Sequence, residues 1–119
     1  MRRDARLRRN KEFQNVFREG RGWANRLLVL KAVPNGCTNT RIGLVTSRRI
    51  GNAVVRNKAR RRLREILRSI HIEDGWDLVL VVRKNRSTAE YNQLKLAAQD
   101  LLSRSNLIDR ALFAGSGNI

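Results

Sequence analysis

Apolar positions along this chain recur with a helical period in some stretches and run as short apolar blocks in others, and the changes between the two mark out its elements. From Lys11 to Glu19, Phe13, Val16 and Phe17 share one face of a short amphipathic helix, which Asn10 is placed to cap and Gly20 to end. After Gly20-Arg21-Gly22, the run Leu27–Val33 reads as a strand closed by Pro34-Asn35-Gly36, and Arg41–Ser47 reads as the next. The short connection between these two strands suits an antiparallel pair. A further short strand is expected near Gly22–Asn25.

Helical spacing returns from Ala53 to Ile70, where Val55, Ala59, Leu63, Ile66, Leu67 and Ile70 form an apolar stripe that is expected to be core. The block Asp77–Arg83 is apolar, β-branched and too short for a typical helix, so it is expected to be a strand buried on both faces at the centre of the sheet. Ser87-Thr88-Ala89-Glu90 matches a capping box for a helix to about Leu102, burying Tyr91, Leu94, Ala98, Leu101 and Leu102. Asn106 is read as the start of one further short turn. Ala111–Ile119 has no periodicity and is expected to be a frayed tail. The order α-β-β-(β)-α-β-α describes an α+β class, a single-domain α/β sandwich with a small mixed sheet, spanning residues 1–110 and followed by the tail 111–119.

Charge changes the picture from fold to function. The chain of 119 residues carries a formal net charge of +16, and residues 1–70 hold 20 Lys or Arg against 4 acids while residues 71–119 hold 6 of each. The whole excess therefore lies in the first part, as expected for a binding surface built from particular elements. It is densest between Arg48 and Arg68, where nine basic residues face the single acid Glu65. Arg56, Arg60, Arg64 and Arg68 are four residues apart and stack along one flank of the predicted helix, and Arg61 extends that flank. Like charges at this spacing cost a helix roughly 0.2–0.5 kcal/mol per pair, which a row of phosphates would offset. Arginine suits structured RNA because its planar fork binds phosphate bidentately and stacks on bases.

Other chemistry is sparse. Cys37 is the only cysteine, which rules out an intramolecular disulfide and fits a reducing cytoplasm. Neither a secretory signal nor a membrane span is expected, since no segment approaches ~20 apolar residues. His71, the only histidine, falls at the end of the basic helix, where a capping or loop role is expected. Glu73, Asp74 and Asp77 read as part of a helix-to-strand turn in preference to a metal site. No nucleophile or phosphate-loop motif occurs, so the polypeptide alone is not expected to be catalytic.

The stretch from Ser47 to Glu65, SRRIGNAVVRNKARRRLRE, closely resembles the signature of the bacterial ribonuclease P protein family. Arg8–Gly20 is similar to that family's opening helix, and Arg41-Ile42-Gly43-Leu44 to the strand before its signature. The chain differs in having Arg48 and Arg49 where the family often has Lys, and Lys58 where it often has Arg.

The resemblance implies a protein subunit that assists a catalytic RNA in removing the 5′ leader of precursor tRNA, the magnesium being used by that RNA and none being tightly held by the polypeptide. It assigns Arg48, Arg49, Asn52, Arg56, Asn57 and Lys58, with Arg60, Arg61, Arg64 and Arg68, to the surface that packs on the catalytic RNA. It places Phe13, Val16 and Phe17 in a cleft that holds the single-stranded leader. It also implies a left-handed β-α-β crossover around the basic helix. The partners so implied are the catalytic RNA and precursor tRNA, with no DNA and no membrane. The residues alone leave a ribosomal or ribosome-associated protein as the alternative, since it would share the small α+β form and the arginine richness.

Overall fold

In the computed structural model, which describes residues 6–83 and 90–108, the first helix, α1, runs over Asn10–Glu19. Its cap is Arg9 and not the expected Asn10, because Glu12 sets the register. Glu12 Oε1 accepts hydrogen bonds from the backbone N–H groups of Arg8 at 2.9 Å and Arg9 at 3.0 Å, occupying donors that helix geometry leaves free. Those two bonds, with the Arg41 guanidinium close by, hold the Glu12 carboxyl below its ordinary range.

Strand β1 (Arg21–Ala24) follows, then β2 (Leu28–Pro34) and β3 (Arg41–Val45). A short 3-10 turn, Arg48–Ile50, leads into α2 (Ala53–Arg68), β4 (Trp76–Val82) and α3 (Tyr91–Arg104). The strand order is β1-β2-β4-β3, with β4 antiparallel to β2 and parallel to β3. The expected antiparallel pairing of β2 with β3 is therefore wrong: β4 lies between them. The apolar character of β4 on both faces decides this, since Leu78, Val79, Leu80 and Val82 are all buried and an edge position would leave them wet. The connection from Asn35 to Thr40 spans two inter-strand spacings, about 10 Å, without strain. The hairpin forms instead between β1 and β2, where Asn25 Oδ1 accepts from the N–H groups of Leu27 at 3.1 Å and Leu28 at 3.0 Å.

Alternation along the strands sorts side chains to two faces. Leu28, Leu30, Ile42, Leu78 and Leu80 meet the α2 stripe (Ala59, Leu63, Ile66, Leu67) and the α3 stripe (Leu94, Ala98, Leu101, Leu102) in one buried cluster. Val55, Ile70 and Tyr91 pack at its margin. On the opposite face Val79, with Val33, Val45 and Val81, meets Val16 and Phe13 of α1, together with Leu7. The sheet is thus sandwiched between α1 and the α2–α3 pair, and β3 reaches its parallel neighbour β4 through α2.

Helix α3 starts later than expected. Ser87, Thr88 and Ala89 lie outside the described residues, and the box that is seen uses Glu90 as cap, its N–H donating to Gln93 Oε1 at 2.9 Å. Asn106 does not begin a new turn: it takes a left-handed φ of 61° and ends α3. Its N–H reaches Ser103 O and that of Leu107 reaches Leu102 O, a Schellman closure that returns the buried Leu107 to the core. The predicted tail, 111–119, lies outside the described residues.

An ion network fastens α1 to the sheet. Arg41 grips Asp77 with two bonds, Nε to Oδ1 at 2.9 Å and Nη2 to Oδ2 at 2.7 Å, and gives Nη1 to Glu12 Oε2 at 2.7 Å. Asn35 Nδ2 also donates to Asp77 Oδ1 at 2.9 Å. Asp77, buried in the sheet, is therefore satisfied as a carboxylate, while Glu73 and Asp74 are exposed beside it, consistent with a turn.

Candidate nucleic-acid interface

The basic surface starts at the 3-10 turn. Ile50 is buried and pins the turn to the core, which leaves Arg48 and Arg49 exposed on its outer side. Gly51 follows with φ 156° and ψ −167°, a region that only glycine adopts readily, and a Cβ there would lie 3.1 Å from Val55 Cβ. Asn52 then caps α2, its Oδ1 accepting from Val55 N–H at 3.1 Å. The side-chain carbonyl of Asn52 is thus committed to the helix, and its amide N–H groups are what it can offer to a ligand.

Along α2 the expected contact residues separate into two kinds. Asn57, Lys58, Arg61 and Arg68 are exposed. Arg56, Arg60 and Arg64 are half-buried, because the row at four-residue spacing borders the apolar stripe and its aliphatic stems lie along it. Arg60 is held by the fold: Nη1 donates to Thr46 Oγ1 at 3.1 Å and Nη2 to Asn57 Oδ1. The Nε of Arg56 is buried without an acceptor. Arg64 is pushed below its ordinary pKa first by burial and then by the cations Arg6, Arg60 and Arg68. The surface is a crowd of cations poised for polyanion binding.

The three residues expected in a second cleft are not equivalent. Val16 has no exposed surface and belongs to the core. Phe13 is half-buried, its ring packed on Gly43 so closely that a Cβ there would collide with Phe13 Cε1. Phe17 is 42% exposed and is the aromatic face that α1 presents outward. His71 is exposed beyond the end of α2.

Two features escape sequence reasoning. Arg41 and Asp77 are 36 residues apart, and the lone hint is an acid opening an otherwise apolar strand. Arg6 reaches the α2 surface from a distant part of the chain, with no local pattern to announce it. Among the described residues, no three His, Cys, Asp or Glu side chains converge as a metal site, and no helix is long and apolar enough to cross a membrane.

Comparison with known proteins places this geometry. A family model described as Ribonuclease P matches residues 1–106. The ribonuclease P protein component of Roseiflexus castenholzii is 40% identical over 116 residues, covering 94% of each chain. That of Dehalococcoides mccartyi is 34% identical over 111 residues, covering 93% of this chain and 92% of the relative. The RNase P protein of Staphylococcus aureus superposes with a TM-score of 0.81 at 26% identity, covering 90% of this chain and all of that one. The Thermotoga maritima RNase P protein does so at 0.77 and 33% identity, covering 83% and 96%. None of these relatives supports the ribosomal alternative.

Proposed function

The chain belongs to the ribonuclease P protein family, and on that premise we propose how its two surfaces share the work of a ribonucleoprotein that trims precursor tRNA. It is the protein component of the enzyme, and its RNA-binding partner is the ribonuclease P RNA. The turn at Arg48–Ile50 and the exposed side of α2 pack on that RNA. The observation carrying this reading is the concentration of cations there, with Asn52 and Arg60 held in position by the fold.

The outward face of α1 receives the single-stranded 5′ leader of the precursor. Unpaired bases stack on aromatic rings without demanding a particular sequence, and Phe17 is the exposed ring available. Phe17→Ala is expected to weaken binding of leader-bearing tRNA to the holoenzyme by roughly 5- to 150-fold, corresponding to one lost stack of ~1–3 kcal/mol. Mature tRNA should bind as before, and an equal loss for both substrates would disprove the leader assignment.

Magnesium is used by the RNA for cleavage. The protein's cations replace part of the ion atmosphere around crowded phosphates, so less magnesium is needed to hold the RNA and its substrate together. Reconstitution with the cognate RNA tests the whole reading: at low magnesium, cleavage of precursor tRNA should depend strongly on the protein, and at high magnesium much less. Equal cleavage with and without protein at every magnesium concentration would refute it.

A further inference from the structure

The first described residues continue the sheet. Arg6 forms a parallel bridge with Ile42, and Leu7 N–H donates to Ile42 O at 3.1 Å, so Arg6-Leu7 lies along the outer edge of β3. Leu7 is buried with Val16 and Val79 on the α1 side. Alternation then sends Arg6 to the other side, the one to which its bridge partner Ile42 points.

On that side a groove of about 360 Å³ is lined by Arg6, Arg61, Arg64, Glu65 and Arg68. The four α2 residues follow the spacing i, i+3, i+4, i+7 and share one face of the helix. Four guanidiniums therefore enclose the groove against a single carboxylate. A second, smaller cavity of about 80 Å³ adjoins it, and Arg6 and Arg64 line both, with Phe13 on the wall of the smaller one.

We infer that Arg6 joins Arg61, Arg64 and Arg68 in one cradle for a phosphodiester of the ribonuclease P RNA, so that Arg6, which lies ahead of α1, is part of the RNA interface. This rests on the proposed function. The crowding of cations around Arg64 is unfavourable in the free protein, and a phosphate seated among them relieves it while gaining charge-assisted hydrogen bonds from several forks at once. The cradle also makes Arg6 and Arg64 the residues common to the α2 surface and the Phe13 side of α1.

The test is binding of the full chain to its cognate catalytic RNA over a range of salt concentrations. Arg6→Ala is expected to lower affinity about 3- to 10-fold and to reduce the slope of log K against log salt by about 0.7–0.9, the signature of one lost phosphate contact. Arg6→Lys should retain the slope, and Arg6→Ala combined with Arg64→Ala should lose less than the product of the single losses, because the two share a phosphate. Arg26→Ala, an exposed arginine at the opposite edge of the sheet, serves as control, and thermal unfolding checks that Arg6→Ala keeps the fold. If the wild-type chain binds the RNA and Arg6→Ala matches it in affinity and slope, the cradle is wrong while the functional reading stands. A loss confined to leader-bearing substrate, with RNA assembly unchanged, likewise overturns the cradle's assignment to the RNA subunit. Failure of the wild-type chain to bind the RNA would bring down both.

Discussion

Lys58→Glu combined with Arg61→Glu is expected to lower affinity for the ribonuclease P RNA on the order of a hundredfold at about 0.15 M salt, and to flatten the salt dependence by about two phosphate contacts. Both side chains are exposed on α2 and lie outside the bonds that fix Arg60, so thermal unfolding should change little. Reversing Arg60 would be a poorer experiment, because it also breaks the contacts with Thr46 and Asn57. Filter binding across a salt series gives affinity and slope together. Affinity within about threefold of wild type, with the slope intact, would remove this side of α2 from the interface.

Asp77→Asn carries the largest expected effect on stability. The substitution keeps the shape of the side chain and removes its charge, leaving the half-buried Arg41 without the carboxylate that it grips twice. Stranding a buried partner costs 3–5 kcal/mol, and the partial exposure of Arg41 reduces this to about 2–4 kcal/mol here. For a domain of this size that lowers the Tm by roughly 10–20 °C. Urea unfolding provides the measurement. A loss below about 0.5 kcal/mol would mean that the network contributes no more than a surface ion pair.

Local patterns carried most of the elements and little of their arrangement. The α2 stripe and the doubly buried β4 were legible because helical period and continuous apolar runs are properties of neighbouring residues. The pairing of β2 with β4 was not, since an antiparallel hairpin across Asn35–Thr40 is locally just as reasonable, and only the need to bury β4 on both faces excludes it. The caps shifted for a similar reason. Asn10 and Ser87 are good capping residues, but Glu12 and Gln93 supply the return bonds that set the register actually used.

The site divides in the same way. Cationic residues within one helix could be found by counting, and the family signature assigned their role. Counting could not show that Arg56, Arg60 and Arg64 lie half-buried beside the core while Lys58 and Arg61 stand clear, nor that Val16 sits wholly inside. Those distinctions come from where α1 and α2 rest on the sheet. Arg6 was out of reach altogether, because its place depends on a bridge to a strand 36 residues away.

The strand order also has a consequence for how the chain is made. Leu30 lies opposite Leu80, and β3 gains its only neighbouring named strand when β4 arrives, yet β4, one of the two inner strands, is the last of the four to leave the ribosome. Until then β1–β2 is the one pairing open to the four named strands, and α2 emerges with its apolar stripe uncovered and its cations already displayed. Pairings this distant along the chain close slowly compared with local ones. A nascent chain stalled before Trp76 would therefore present an adhesive basic helix without the sheet that gives it shape, exposed to any RNA nearby before it can discriminate among them.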